Sequence, residues 1–305
     1  MRVILLGDTG QLGQAFSNLA MSESFELHKF NRSNFNILNL DNFFIQASLI
    51  KADFILNMIA YTDVNGAEQQ KEECNNVNHY FPERLAKYCK KMNVGLIHIS
   101  TDYIFDGTNS TPYTELDKPN PLSEYGISKY MGENSILNSG CYGLIIRTSG
   151  LFGEYRTNFL KTMINLLAIK DEIHVVNDQI FNPTYANDLA GFIIKVIYYI
   201  DPNKNADLIH YSGDCATSWY LFTKMIKENL IEKDIFLDNE LSVIKPIALD
   251  KFKSIARRPL YSVLDNSEIN RRFEYISSNW KLGVIQSIKI LQLNKFFDKY
   301  KDRIS

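Results

Sequence analysis

Residues 3–13 read VILLGDTGQLG, and this stretch decides the fold because it combines three local signals. Val3–Leu6 is a short run of β-branched and aliphatic residues, which is typical of a buried strand. Gly7–Gly13 follows with three glycines in the spacing G-x-x-G-x-x-G, and residues 14–21 have the apolar spacing of a helix. The order of strand, glycine turn and helix predicts the first unit of a parallel α/β sheet.

The same alternation continues along the chain. Segments 81–91 and 130–137 have helical spacing of apolar residues, and they lie among short apolar runs at 26–30, 54–60, 95–100, 144–148 and 173–176. We therefore predict the α/β class, with a Rossmann-like doubly wound parallel sheet in residues 1–150 and a smaller C-terminal substrate-binding lobe formed mainly by residues 151–305. A helix predicted near residues 186–199 is expected to return to the first sheet.

Composition excludes several classes of protein. The chain has 305 residues, of which 45% are hydrophobic, and its net charge of −2 gives no reason to expect nucleic acid as a partner. No membrane segment is expected, because the longest late apolar run, residues 191–200, is interrupted by Lys195. The cysteines form no Cys-x-x-Cys pair, which favours a reduced cytoplasmic protein without a metal site: Cys74, Cys89, Cys141 and Cys215.

The glycine turn indicates a dinucleotide cofactor. Gly7 permits a tight bend, Gly10 lets a pyrophosphate approach the backbone, and Gly13 lets the helix pack close to the sheet. A glycine-rich turn alone is a weak signal, because turns collect glycine in any fold, but its position after the first strand strengthens it. The predicted cofactor-binding residues of this turn are Gly7, Gly10, Gln11, Leu12 and Gly13.

Asn31 and Arg32 follow the second predicted strand, where many NAD-binding proteins carry an acidic residue for the ribose hydroxyls. A cation at this position favours a 2′-phosphate, so both residues are predicted to bind the cofactor, and NADPH is expected with NADH as the alternative. The competing interpretation is that Arg32 is an ordinary solvated surface residue.

A third signal lies between residues 97 and 133. Thr101 ends an apolar strand, and Tyr125 and Lys129 stand four residues apart, so a helix opened by residues 121–123 would present both on one face. A phenol has a pKa of about 10, and a nearby ammonium lowers it towards the range of a general acid. Alone, Tyr-x-x-x-Lys is also an ordinary turn of an amphipathic helix.

Together these residues resemble the extended short-chain dehydrogenase/reductase superfamily and, more narrowly, the dTDP-4-dehydrorhamnose reductase family. The resemblance covers nearly the whole chain, because the motifs fall in the family's order: LLGDTGQLG, NMIAYTDVNGAE, STDYIFDG, PLSEYGISKYMGE, IIRTSGLFG, NFLKTM, VVNDQIFNPTYANDLA, SWYLF and ARRPLYSVLD.

The resemblance implies reduction by NAD(P)H of the C4 ketone of a nucleotide-linked 4-keto-6-deoxyhexose, for surface polysaccharide synthesis. Tyr125 would protonate the alkoxide, Thr101 would bond the same oxygen, and Lys129 would hold the nicotinamide ribose and lower the pKa of the tyrosine. Further cofactor-binding residues would be Ala60, Tyr61 and Thr62. Substrate-binding residues would be Thr62, Val64, Thr101, Asp102, Tyr103, Asn158, Arg257 and Arg258. A nucleotide sugar is thus the expected partner, and a homodimer is left open.

Some positions depart from the family pattern. Gly150 stands where a tryptophan beside the sugar is usual, Phe181 where glycine is usual, and Asn65 where aspartate is usual. Tyr103 replaces the glutamate of the related 4,6-dehydratases, which argues against dehydration. The alternatives kept are a non-catalytic regulatory or binding subunit of the same fold and a nucleotide-sugar epimerase. Trp219 and Trp280 are interpreted as packing residues.

Overall fold

The structure is a computed structural model and describes residues 1–300. Its strands are β1 (Arg2–Leu6), β2 (Glu26–Phe30), β3 (Phe54–Asn57), β4 (Gly95–Thr101), β5 (Gly143–Thr148), β6 (Leu151–Phe152), β7 (Glu172–Val176), β8 (Ile180–Phe181), β9 (Thr184–Tyr185), β10 (Asp207–His210), β11 (Thr217–Ser218) and β12 (Val243–Ile247).

The α-helices connect these strands on both faces of the sheet and build the second lobe. They are α1 (Gln11–Leu19), α2 (Asp41–Ile50), α3 (Val64–Gln69), α4 (Lys71–Asn75), α5 (Phe81–Met92), α6 (Glu124–Asn138), α7 (Phe159–Ile169), α8 (Ala186–Val196), α9 (Trp219–Glu232), α10 (Ser267–Phe273) and α11 (Trp280–Leu293). A π-helical turn, Asn76–Tyr80, joins α4 to α5.

The main sheet confirms the predicted doubly wound fold. Its strand order within the described residues is β10-β5-β4-β3-β1-β2, and every neighbouring pair is parallel. The order runs outward from β1 in both directions, so a topological switch point lies at the carboxyl ends of β1 and β3. In an open parallel sheet of this kind, ligands bind in the crevice outside the carboxyl ends of the strands.

Two hydrophobic cores enclose this sheet because successive strand residues point to opposite faces. Val3 and Leu5 of β1 pack with α1 and α8 on one face, whereas Ile4 and Leu6 pack with α2 and α5 on the other. A parallel sheet covered on both faces needs continuous apolar strands, and residues 3–6 are fully buried.

Two strands differ from the expected arrangement. The run at residues 173–176 forms β7, but β7 pairs with β12 in a separate two-stranded sheet. The sixth strand of the main sheet is instead β10, which comes from the second half of the chain and pairs with β5. An alternating or apolar pattern identifies a strand but not the strand that it pairs with. The sequence alone therefore did not predict that β7 pairs with β12 and that β10 pairs with β5.

The second lobe has a core of its own, formed by α7, α9, α11 and β7. The helix predicted near residues 186–199 is α8 followed by a short 3-10 turn, and α8 packs against α1 below the main sheet. The domain boundary at residue 150 stays a prediction, and residues 301–305 of the predicted lobe lie outside the described range.

Gly13 is the residue on which the first turn depends. A Cβ atom at this position would lie 2.1 Å from the carbonyl oxygen of Gly7. We expect Gly13→Ala to lower the free energy of unfolding by roughly 2–4 kcal/mol, because backbone must move to relieve the overlap. Urea unfolding monitored by circular dichroism measures this change.

The matched control is Gly191→Ala in α8, where no atom lies within 4 Å of the new Cβ apart from the adjacent residues and the backbone of the helix itself. Alanine is the better helix former, so this variant should be as stable as the parent or up to about 1 kcal/mol more stable. Equal stability of the two variants would contradict the close approach at Gly13.

Candidate active site

The glycine turn joins β1 to α1 through a left-handed glycine and two backbone hydrogen bonds. Gly7 has a φ of +87°, and its N–H donates to the carbonyl of Phe30 at 2.8 Å, while the Gly10 N–H donates to the Gly7 carbonyl at 2.9 Å. Gly10 caps α1 without any side-chain bond to the first-turn N–H groups. Gln11, Leu12 and Gly13 therefore present backbone donors at the positive end of the helix dipole.

The end of β2 is tied to this turn by one side-chain bond. Asn31 donates from Nδ2 to Oδ1 of Asp8 at 2.9 Å, and Arg32 next to it is exposed. The structure therefore brings Asn31 to the glycine turn and leaves the guanidinium of Arg32 in solvent at the same edge.

Asn158 lies at the glycine turn and does not line the cavity that holds the other substrate-site predictions. Its side chain caps α7 by accepting from the Lys161 N–H, and its Nδ2 donates to Oε1 of Gln11 at 2.5 Å. The two bonded residues are 147 positions apart. Sequence spacing did not reveal this contact between the second lobe and the first turn.

Ala60, Tyr61 and Thr62 form the loop after β3, and a buried asparagine holds that loop in place. Asn78, in the π-helical turn, accepts from the Tyr61 N–H at 2.9 Å and donates to the Tyr61 carbonyl at 3.0 Å. This pair of bonds imitates a backbone ladder, so the loop is fixed although it is irregular. Asn78 was not predicted as a site residue, and π-helical turns are frequent at functional sites.

Thr101 is the last residue of β4 and is 6% exposed. Its Oγ1 donates to Oδ1 of Asp102 at 3.2 Å, and Ser149 donates to Oδ2 of the same carboxylate at 2.8 Å. Burial raises the pKa of Asp102 to about 6, although these hydroxyl donors oppose the shift. Asp102 thus fixes the end of β4 against the segment that follows β5.

Tyr125 opens α6 beside this strand end. Ser123 caps the helix by accepting from the Gly126 N–H at 3.2 Å, which sets the first turn and the direction of the tyrosine. Burial raises the pKa of Tyr125 strongly, and a hydrogen bond with the Thr101 hydroxyl is the main influence that lowers it. The charges of Asp102, Tyr103 and Cys74 add to the rise, so the pKa of Tyr125 moves in the direction opposite to the one expected from Lys129.

Lys129 is buried on the same helix, with 1% of its surface exposed. Its Nζ donates to the Ile99 carbonyl at 2.6 Å and pairs with Nε2 of His98 at 3.2 Å. Burial lowers the pKa of Lys129 to about 8, and the nearby Glu133 carboxylate opposes the shift. His98 thus lies beside the ammonium group.

One cavity of about 230 Å³ brings most of the predicted substrate residues together. The predicted residues that line it are Thr62, Val64, Thr101, Asp102, Tyr103 and Tyr125. Gly150, Gln179, Phe181, Trp219 and Ser262 complete the lining. Trp219, interpreted from the sequence as a packing residue, is therefore a cavity wall, and Gln179 and Ser262 were not predicted at all.

The two adjacent arginines take different positions. Arg257 is exposed, whereas Arg258 is partly buried and donates from Nε to Oγ of Ser254 at 3.3 Å. Burial raises the pKa of Tyr103, and the charge of Arg258 opposes that shift, so this guanidinium lies near the cavity. The structure thus separates two residues that the sequence treated alike.

Within residues 1–300, no helix combines the length and apolar character needed to cross a bilayer. No group of three or more histidine, cysteine, aspartate or glutamate side chains in that range is placed to hold a metal ion.

The fold and the site together define an extended short-chain dehydrogenase/reductase. A glycine turn opens the first helix of a doubly wound sheet, and a tyrosine and a buried lysine on α6 lie beside a threonine at the end of β4. The chain belongs to the family whose model is described as RmlD substrate binding domain, which matches residues 1–293.

Known proteins similar to this chain confirm the predicted resemblance. The dTDP-4-dehydrorhamnose reductase of Aggregatibacter actinomycetemcomitans is 34% identical over 283 residues, which cover 92% of this chain and 96% of that protein. A dTDP-4-dehydrorhamnose reductase structure from Clostridium acetobutylicum has a TM-score of 0.88 at 32% identity, covering 96% and 100% of the two chains. The Bacillus anthracis enzyme, solved in complex with NADP, has a TM-score of 0.85 at 30% identity, covering 94% and 98%.

The lowered pKa of Lys129 predicts a pH-dependent cost in stability. Because its folded pKa is about 8 against an ordinary 10.5, the folded protein gains stability as pH rises between these values. The Lys129→Met variant carries no titrating group at this position, so its own stability should not gain in this way. We expect the free energy of unfolding of Lys129→Met, relative to that of the parent, to be highest near pH 7 and to be about 1–3 kcal/mol lower by about pH 10. Urea unfolding at both pH values measures the difference.

Lys87→Met is the control, because Lys87 is exposed and pairs with Glu83 on the surface of α5. Its stability relative to the parent should change little over the same pH range. A constant difference between parent and Lys129→Met at all pH values would show that Lys129 is not desolvated.

Proposed function

We propose that this chain is an NAD(P)H-dependent reductase that converts the C4 ketone of a nucleotide-linked 4-keto-6-deoxyhexose to an alcohol, for the synthesis of surface polysaccharide. The observation that carries the proposal is the convergence of Tyr125 and Thr101 on one cavity at the carboxyl edge of the sheet. The similar enzymes of Aggregatibacter actinomycetemcomitans and Clostridium acetobutylicum are named for dTDP-4-dehydrorhamnose, so that compound is the first substrate to assay.

Tyr125 is the proposed proton donor. In the reduction, C4 gains a hydride and the ketone oxygen gains a proton, so the carbon–oxygen π bond is replaced by one C–H and one O–H bond. Burial keeps the phenol of Tyr125 protonated at neutral pH, and its proton moves only as the more basic alkoxide develops. Thr101 stabilises the same oxygen by a hydrogen bond.

The glycine turn fits a nicotinamide dinucleotide. A side chain at Gly13 would close the turn, and the first-turn N–H groups of α1 have no side-chain cap, so Gly7, Gly10, Gln11 and Leu12 would hold the pyrophosphate. The reduced cofactor supplies the hydride when bound.

Other residues would hold the two riboses and the nicotinamide of the cofactor. Lys129 is assigned the nicotinamide ribose, and Ala60, Tyr61 and Thr62 the nicotinamide side of the cavity. Asn31 and Arg32 border the adenosine ribose, where the exposed guanidinium suits a 2′-phosphate and favours NADPH over NADH.

The sugar nucleotide is assigned to the rest of the cavity. Thr62, Val64, Asp102 and Tyr103 line the space for the sugar, and Arg258 beside Tyr103 would bind the diphosphate by charge-assisted hydrogen bonds. We assign this contact to Arg258 rather than Arg257, because Arg257 is exposed. Asn158 is assigned to holding Gln11 in the cofactor turn rather than to the sugar.

Location and assembly belong to the same proposal. All four cysteines are free, which supports a reducing cytoplasm. A homodimer is supported by an apolar groove between α2 and α5, where Ile45, Leu49 and Met92 are exposed.

Tyr125→Phe tests the reaction. With dTDP-4-dehydrorhamnose and NADPH, followed by nicotinamide absorbance, we expect kcat to fall roughly 10²–10⁴-fold, because the general acid is lost, with the KM for NADPH unchanged. Tyr130→Phe, on the same helix but outside the cavity, is the matched control and should keep the parent's rate.

Net consumption of NADPH in step with sugar separates this reductase from an epimerase, which returns its cofactor unchanged. If the parent protein oxidises no NADPH with any 4-keto nucleotide sugar, the proposal is wrong. A change in the activity of a copurifying enzyme would then favour the regulatory subunit.

Arg258→Ala tests the diphosphate contact. A lost charge-assisted bond is worth about 1.5–3 kcal/mol, so the KM for the sugar nucleotide should rise by roughly 10–100-fold while the KM for NADPH stays constant. Arg257→Ala changes the same charge on the exposed neighbour and should leave both constants unchanged. Equal effects of the two variants would indicate only a general field of positive charge.

A further inference from the structure

Trp219 is held rigidly at the wall of the cavity. It is the first residue of α9, and its ring stacks on Phe181 with centroids 3.9 Å apart and an interplanar angle of 26°. Phe159 contacts the same indole at a centroid distance of 4.4 Å. The indole N–H donates to Oε1 of Gln179 at 3.0 Å, so both the plane and the edge of the ring are fixed.

Gly150 and Phe181, which also line the cavity, form a coupled pair next to Trp219. Gly150 has a φ of +51°, and a Cβ at this position would lie 2.3 Å from Cε2 of Phe181. The phenyl ring therefore occupies the volume that any side chain at residue 150 would need. Phe181 is itself only 2% exposed, and its ring supports Trp219 by stacking on the indole.

The wall formed by Trp219 belongs to the same cavity as Tyr125 and Thr101. At about 230 Å³ the cavity is below the range of roughly 300–1,000 Å³ found for pockets that enclose drug-sized ligands, which suits a single ring. Thr101, Asp102 and Tyr125 line its reacting side, whereas Phe181 of β8 and Trp219 of α9 line another part, where the amide oxygen of Gln179 is occupied by the Trp219 N–H. A ligand of this shape needs one polar edge and one apolar face.

We infer that Trp219 is the surface against which the apolar C–H face of the sugar ring packs, and that Phe181 is the positioning residue that holds it there. This inference rests on the proposed function and adds a specificity-determining residue to it. A 6-deoxy sugar carries a methyl group in place of a hydroxymethyl group, so its apolar surface is larger and its packing on the indole is favoured.

Fluorescence gives a direct test, because the chain has only two tryptophans. Trp280 is buried in the second core, and its N–H donates to the Cys215 carbonyl at 3.0 Å, away from the cavity. In Trp280→Phe, Trp219 is the sole reporter, and titration with dTDP-L-rhamnose should change its emission with saturation. dTDP alone should bind with little change.

Trp219→Phe provides the matched control, because Trp280 is then the reporter and should not respond to either ligand. The same response of Trp219 to dTDP and to dTDP-L-rhamnose would overturn the inference. So would the absence of any response when calorimetry shows that dTDP-L-rhamnose binds. Neither measurement needs turnover, so failure here is distinct from failure of the proposed reduction.

Kinetics separate contact from structural support. Trp219→Ala should raise the KM for the sugar nucleotide about 10-fold or more, which corresponds to about 1.4 kcal/mol, and leave the KM for NADPH unchanged. Phe181→Leu, made in the Trp280→Phe background, should shift the emission of Trp219 without ligand and raise the same KM by a smaller factor. Circular dichroism checks that each variant is folded, and an unchanged KM in folded Trp219→Ala would overturn the inference.

Discussion

The hydrogen bond from the Lys129 ammonium to the Ile99 carbonyl, at 2.6 Å, is the constraint on which the site depends. It joins the helix that carries Tyr125 to the strand that ends at Thr101, so the two hydroxyls keep a fixed relation. A buried ammonium is costly unless its donors are satisfied, and here the Ile99 carbonyl accepts from one of them while Nε2 of His98 lies 3.2 Å from the same nitrogen. The cost shows in the lowered pKa of the lysine. Stability is thus given up at the place where the proposed chemistry needs a cation.

A second buried bond fixes the same helix one turn further along. Glu133, four residues after Lys129, forms a two-pronged ion pair with Arg147 of β5, with one nitrogen–oxygen distance of 2.7 Å. Arg147 in turn contacts His210 of β10 at 3.3 Å. The buried face of α6 is therefore attached to β4 through Lys129, to β5 through Glu133, and through Arg147 also to β10. Any other arrangement of α6 on the sheet would separate the two groups and leave an unpaired buried charge. The ion pair therefore favours this one arrangement.

Local signals account for the part of the molecule that the sequence predicted well. Each of these features is encoded by residues that lie only a few positions apart: the glycine turn, the helix cap at Ser123, and the spacing of Tyr125 and Lys129. Trp219, Gln179 and the Asn158–Gln11 bond escaped prediction because their partners lie far away along the chain, and only packing brings them together. The pKa of Tyr125 was mispredicted for a different reason: the four-residue spacing indicates that Lys129 is near, but it does not report the burial of the phenol, which is the largest influence on that pKa and raises it.

The placement of β10 has a consequence for biosynthesis. Residues 207–210 supply the strand that covers the edge of β5, yet they leave the ribosome well after the other five strands. Until then, the strand β5 (GLIIRT), which is buried along its whole length in the finished fold, has unpaired N–H and C=O groups along the edge that β10 later covers. Such an edge invites pairing with another chain. The edge of β5 is therefore open to such pairing for as long as the second half of this protein is being made.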